Sequence, residues 1–122
     1  MTDKFAVIGL GHFGSAICRK LSEKGAEVLA IDIYEDKVES IKNRVAYSVR
    51  MDATDLESLR AQKVQDMDAV VVSIGQNFEG TMLTVAQLME LNVKRIIARA
   101  HGKTQRRILK KLANSEVEGV DM

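Results

Sequence analysis

The chain has 122 residues, enough for one domain around a single core and too few for two. Hydrophobic residues are 46% and charged residues 29%, too apolar for a disordered chain, and 18 basic against 17 acidic side chains leave a net charge of +1. That balance argues against nucleic acid as a partner, and no apolar run approaches the ~20 residues of a membrane span.

Taken in order, the chain alternates short branched runs with longer helical stretches. Residues 5–8 (FAVI) read as a buried strand closed by Gly9, and residues 13–24 as a helix ended by Gly25. A second strand is expected at 27–32 and a short exposed helix at 35–43, with Val38 and Ile41 on one face. Residues 45–51 form a less clean third strand. Thr54 with Glu57 three places on predicts a capping box and a helix over 55–63. The strongest strand is expected at 68–74, followed by a helix over 79–91, a fifth strand at 95–100 and a fifth helix at 104–113. Five β-α units in strict alternation imply parallel strands joined by right-handed crossovers. The fold class expected is therefore α/β: a Rossmann-like, doubly wound parallel sheet flanked by helices, occupying residues 1–122 as one domain. Residues 114–122 are weakly patterned, so the chain is expected to stop where a sixth strand would begin and to be a fragment of something longer.

Gly9-Leu10-Gly11-His12-Phe13-Gly14 is a G-x-G-x-x-G sequence placed between a predicted strand and a predicted helix, with Asp32 at the end of the next strand, 18 residues beyond Gly14. That is the full context of the dinucleotide-binding fingerprint. Gly9 would allow the tight turn, Gly11 the approach of a pyrophosphate to the backbone, and Gly14 close packing of helix on strand. The helix N-terminus would offer free N–H groups and about half a positive charge to phosphates. Asp32 would accept from the ribose hydroxyls of an adenosine, and its charge would repel a 2′-phosphate, so NADP is disfavoured.

Ligands of open parallel sheets bind at the carboxyl ends of the strands. Three further segments point there: Asp52-Ala53-Thr54, Ile74-Gly75-Gln76-Asn77 and Arg99-Ala100-His101. Asp52 would meet an adenine amino group or simply cap a helix. Gly75 would admit a ligand close to the backbone or only make a turn. Arg99 is a cation at the sheet edge in need of a partner, and His12 would donate to a phosphate or stand in solvent. Cys18 reads as a small hydrophobe, and one cysteine suits a reducing cytoplasm. Residues 92–115 carry eight Lys and Arg side chains and no acid. This stretch is a solvated helix face, or a surface for phosphates, an acidic partner or a membrane. No catalytic set of residues stands out.

The segments FAVIGLGHFGSAICRKLSEKGAEVLAIDIYEDKVE, MDATD, VVVSIGQNFEGTMLT and IIARAHG together resemble the N-terminal nucleotide-binding (RCK or KTN, TrkA-N) domain of the regulators of Trk and Ktr potassium-uptake systems, the Ktr type most of all. The resemblance implies a cytoplasmic regulatory subunit rather than an enzyme. Such a subunit forms a homo-oligomer, a dimer or an octameric ring, beneath a membrane potassium channel or transporter subunit and gates it by changing shape with its ligand, ATP or ADP, or NAD(H). Carried onto this chain, the resemblance gives Gly9, Gly11, His12 and Gly14 to phosphates, with Phe13 in the same loop. Asp32 goes to ribose, Ile33 and Tyr34 to its edge, and Asp52 and Ala53 to adenine. Ile74, Gly75 and Gln76 would close over the ligand, and Arg99 and His101 would complete the site. His12 stands where the family usually has an arginine that reads the terminal phosphate of ATP. For the family's cation-holding acid, ungapped counting gives Asp121, whereas matching Gly119-Val120-Asp121 to the family's Gly-Ala-Asp leaves that acid out, so no metal residue is assigned. The rival reading is the cofactor domain of an NAD-dependent dehydrogenase.

Overall fold

The computed structural model describes residues 2–75, 77–113 and 117–121, the last stretch as backbone. Six parallel strands lie in the order β3-β2-β1-β4-β5-β6: β1 (Lys4–Ile8), β2 (Glu27–Asp32), β3 (Tyr47–Arg50), β4 (Ala69–Val72), β5 (Ile96–Ala100) and β6 (Val117–Asp121). The order reverses between β1 and β4, which opens a crevice at the carboxyl ends of those two strands. The expected doubly wound class is the one observed.

Period-two alternation divides the sheet into two cores. Ala6 and Ile8, Leu29 and Ile31, and Val70 and Val72 face one side, where Leu59, Val85, Leu88 and Leu109 close over them. These last four come from α3 (Leu56–Ala61), α4 (Phe78–Glu90) and α5 (Gly102–Ala113). Val7, Val28, Ala30 and Val71 face the other side against α1 (His12–Glu23) and α2 (Glu35–Ile41), which contribute Cys18, Val38 and Ile41. Burial pushes the Cys18 thiol up to about 12, against smaller opposing effects of Arg19 and a backbone hydrogen bond, so it is packed as a hydrophobe. Leu88 is fully buried between α4 and the sheet, and Leu88→Ala should cost about 2–5 kcal/mol in urea unfolding.

Three expectations need correction. A sixth strand does exist: β6 pairs in register with β5, Ile96 opposite Val117 and Ala100 opposite Asp121. Backbone pairing to an existing sheet edge, which apolar periodicity does not report, places it there. The N-cap of α3 is Asp55, whose Oδ2 accepts from Ser58 N at 3.0 Å, not Thr54. The Thr54 hydroxyl instead donates to Asp52 Oδ1 at 2.7 Å, so the helix starts one residue later. It also ends earlier than expected, at Ala61, and Lys63 turns left-handed at φ 59°. On α5, among the described side chains, Leu109 is buried while Ile108 and Leu112 stay 39% exposed beside the basic residues.

Candidate functional site

The crevice is built first by glycines. Gly9 follows β1 with φ 98°, and a Cβ there would lie 2.0 Å from the Ser73 carbonyl oxygen at the end of β4. A Cβ on Gly14 would lie 1.8 Å from the Gly9 carbonyl oxygen, so α1 can sit on the loop only without a side chain. Gly11 is different: φ is −72° and a Cβ would meet nothing within 4 Å. It is the N-cap of α1, with no side-chain cap and no acid in the first turn. The helix therefore presents its N–H groups and its partial positive charge to open space.

Asp32 holds this loop against β2. Its Oδ2 accepts from Leu10 N at 2.7 Å and its Oδ1 from Tyr34 N at 2.9 Å. Gly9 N donates to Ile31 O at 2.8 Å on the same border. A carboxylate offers about four acceptor sites, so each oxygen keeps one for a ligand hydroxyl.

Together these elements enclose about 240 Å³. This cavity is lined by Gly9, Leu10 and Gly11 after β1, by Asp32, Ile33, Tyr34 and Lys37 on the β2 side, and by Ser73, Ile74, Gly75 and Arg99 on the β4 and β5 side. Ile33 and Tyr34 are 51% and 65% exposed, an apolar border free to be covered. The Arg99 guanidinium stacks on the Phe13 ring, 4.8 Å from its centroid, and its Nε is buried without a hydrogen-bond partner. A buried donor left unpaired is costly, and Arg99 lines both this cavity and the neighbouring groove beside Phe13 and Ile17.

The remaining expected residues are not among those that line this cavity. His12 is exposed at the first turn of α1, and Phe13 supports Arg99. Asp52 is exposed after β3, and the Thr54 hydroxyl and then the Thr54 N–H lower its pKa by hydrogen bonding to it. Ala53 is buried in the core. His101 turns its ring to the Gly75 carbonyl. Gln76 lies outside the described residues, as do the side chain of Asp121 and any cation site built on it. Among the described residues no cluster of His, Cys, Asp or Glu could hold a metal ion, and no helix is long and apolar enough to cross a membrane. Leu10, Lys37 and Ser73 were not expected in the lining. Leu10 stands inside the glycine motif, and its position there was signal enough. Ser73 and Lys37 carry no such signal.

A family model described as the TrkA-N domain matches residues 5–118. The chain is 39% identical over 117 residues to Ktr system potassium uptake protein C of Bacillus subtilis, covering 96% of this chain and 53% of that one. It thus spans about half the length of that relative. Among solved structures, the NAD(P)-binding domain of an exopolyphosphatase-related protein from Archaeoglobus fulgidus superposes with a TM-score of 0.83 at 23% identity, over 95% of this chain and 86% of that one. The GsuK channel bound to NAD superposes with a TM-score of 0.82 at 13% identity, over 97% of this chain and 21% of that one. Both likenesses are of fold.

Proposed function

The chain belongs to the TrkA-N family, and from that premise we propose that it is the nucleotide-binding part of a cytoplasmic regulator of potassium uptake. The ligand is an adenine nucleotide, ADP or ATP, or NAD(H). The partner is a membrane channel or transporter subunit, reached as a homo-oligomer. The relative's name, Ktr system potassium uptake protein C, supports the transport role, and a regulatory role makes the chain a switch rather than an enzyme.

One observation carries the binding half: an uncapped helix N-terminus opens onto a cavity with the Asp32 carboxylate on the β2 side and Arg99, stacked on Phe13, on the β5 side. That polarity fits an adenosine at Asp32, phosphates over Gly11, and the far phosphate or second nucleotide half at Arg99. The glycine loop, Ile33, Tyr34, Ile74 and Gly75 give the contacts between. For gating, a ligand shifts a conformational equilibrium only by its difference in affinity for the two shapes. Two ligands that engage Arg99 differently supply such a difference, and a ring of identical domains adds the biases together.

Thermal unfolding with ADP, ATP, NAD, NADH and NADP, each with and without magnesium, tests the reading. A ligand at about a hundred times its Kd adds about 2.7 kcal/mol, on the order of ten degrees in a domain this size. The expected result is a shift with adenine nucleotides and a smaller one with NADP. No shift with any of the five would reduce the glycine loop to architecture. Turnover of NAD with an added substrate would instead return the dehydrogenase reading.

A further inference from the structure

The connection from β4 to α4 borders the crevice, with Ile74 packed against the core and its carbonyl accepting from Asn77 N at 3.4 Å. Its start is fixed by Ser73 N donating to Ile8 O at 2.7 Å, and its end by Asn77 Oδ1 accepting from Gly80 N at 3.0 Å. Between them Gly75 is exposed, with φ 63°, and a Cβ built there would meet nothing within 4 Å. Ile74 and Gly75 nevertheless line the cavity, so their placement decides its shape. The Gly75 carbonyl is tethered from 26 residues away: His101 Nε2 stands 2.7 Å from its oxygen. His101 is itself anchored, since it follows fully buried Ala100 and its backbone N–H donates to Gln105 Oε1 at 2.9 Å.

We propose that His101 is a positioning residue for the crevice: its imidazole holds the Gly75 carbonyl and so fixes the turn that Ile74 and Gly75 present to the bound nucleotide. A carbonyl oxygen can only accept, so Nε2 must carry the proton and the neutral ring is the Nε2–H tautomer. The doubly protonated ring keeps the same donor, so the clasp holds in either charge state. His101 does not line the cavity, and its effect on affinity passes through the turn. Without the clasp, ligand binding would have to order the turn, and affinity would fall by that cost. The clasp also joins the β4–α4 turn to the start of α5, giving ligand contact at Gly75 a direct mechanical link to the basic helix.

This proposal rests on the nucleotide reading, and the test separates the two. Binding of ADP and of NAD is measured by calorimetry for the wild type, His101→Leu and His101→Gln. Leucine removes the donor and should weaken binding about tenfold, with the thermal midpoint of the free protein within a few degrees of the wild type. The glutamine amide reaches as far as imidazole Nε2 and should restore affinity to within about threefold. Equal affinity in wild type and His101→Leu overturns the clasp. Glutamine as weak as leucine overturns it too, since the imidazole would then be needed for more than its donor. In the ligand-free wild type, nitrogen chemical shifts of the His101 ring should report a proton on Nε2, and the Nδ1–H tautomer overturns the clasp whether or not any nucleotide binds. Loss of the parent reading looks different: the wild type itself would bind neither ligand.

Discussion

Gly11→Val should weaken nucleotide binding at least about a hundredfold while the free protein keeps its fold. The reasoning starts from the backbone. Gly11 has φ −72° and ψ −163°, an extended conformation open to any residue, and a Cβ there touches nothing within 4 Å. Valine is a poorer N-cap than glycine, which costs about 1 kcal/mol or less and shifts the midpoint by only a few degrees. The two γ-methyls, however, would extend into the space over the helix N-terminus. A phosphate held there by charge-assisted N–H bonds loses about 1.5–3 kcal/mol for each one broken. Gly14→Ala is the control with the opposite signature. Its Cβ would stand 1.8 Å from the Gly9 carbonyl oxygen, so α1 must lift off the loop. That substitution should destabilise the free protein by about 3 kcal/mol. Midpoints and calorimetric affinities of the two variants, measured side by side, decide the assignment. If Gly11→Val binds as the wild type does, phosphates do not lie over Gly11.

Much of this difference between two glycines of one motif could be read beforehand. The spacing Gly9, Gly11, Gly14 after an apolar strand, with Asp32 ending the next, contains the loop, the helix start and the acid. Strand faces were equally legible, because Ala6, Val7 and Ile8 must alternate between two helical layers. What escaped depends on contacts between distant residues. The clasp from His101 to Gly75 spans 26 positions, and the stacking of Arg99 on Phe13 joins β5 to α1. No periodicity announces either. Lys37 reaches the lining because α2 begins directly beside Asp32, although its own neighbours read only as a charged surface helix. The start of α3 moved because two acceptors, Asp52 and Asp55, flank Thr54: the first takes its hydroxyl and the second takes over the cap. β6 escaped because an edge strand is held through its pairing with β5, and residues 117–121 (VEGVD) show little apolar signal of their own.

Asp32→Ala should have a double effect, losing affinity for every adenosine ligand about a hundredfold and lowering the stability of the free protein by about 2 kcal/mol. The second effect arises because the carboxylate also serves the apo structure. Leu10 N and Tyr34 N both donate to it, and alanine leaves both amides without that acceptor. The side chain is only half-buried, so water recovers part of the loss and the figure stays at the low end of two charged hydrogen bonds. Asp32→Asn separates the two roles. Its amide oxygen can still accept from one of the two backbone amides, so stability should fall less than in the alanine variant. Its missing charge removes the repulsion of a 2′-phosphate, while Lys37 remains on the β2 side of the cavity as a cation for that phosphate. NADP should therefore gain on NAD by about tenfold in the asparagine variant, the size of one electrostatic contact near a protein surface. Should the NADP to NAD ratio stay unchanged, the ribose would not face Asp32 and the adenosine would have to lie elsewhere in the crevice. If the ratio moves while binding of ADP weakens, the carboxylate both holds the ribose and selects against the phosphorylated cofactor.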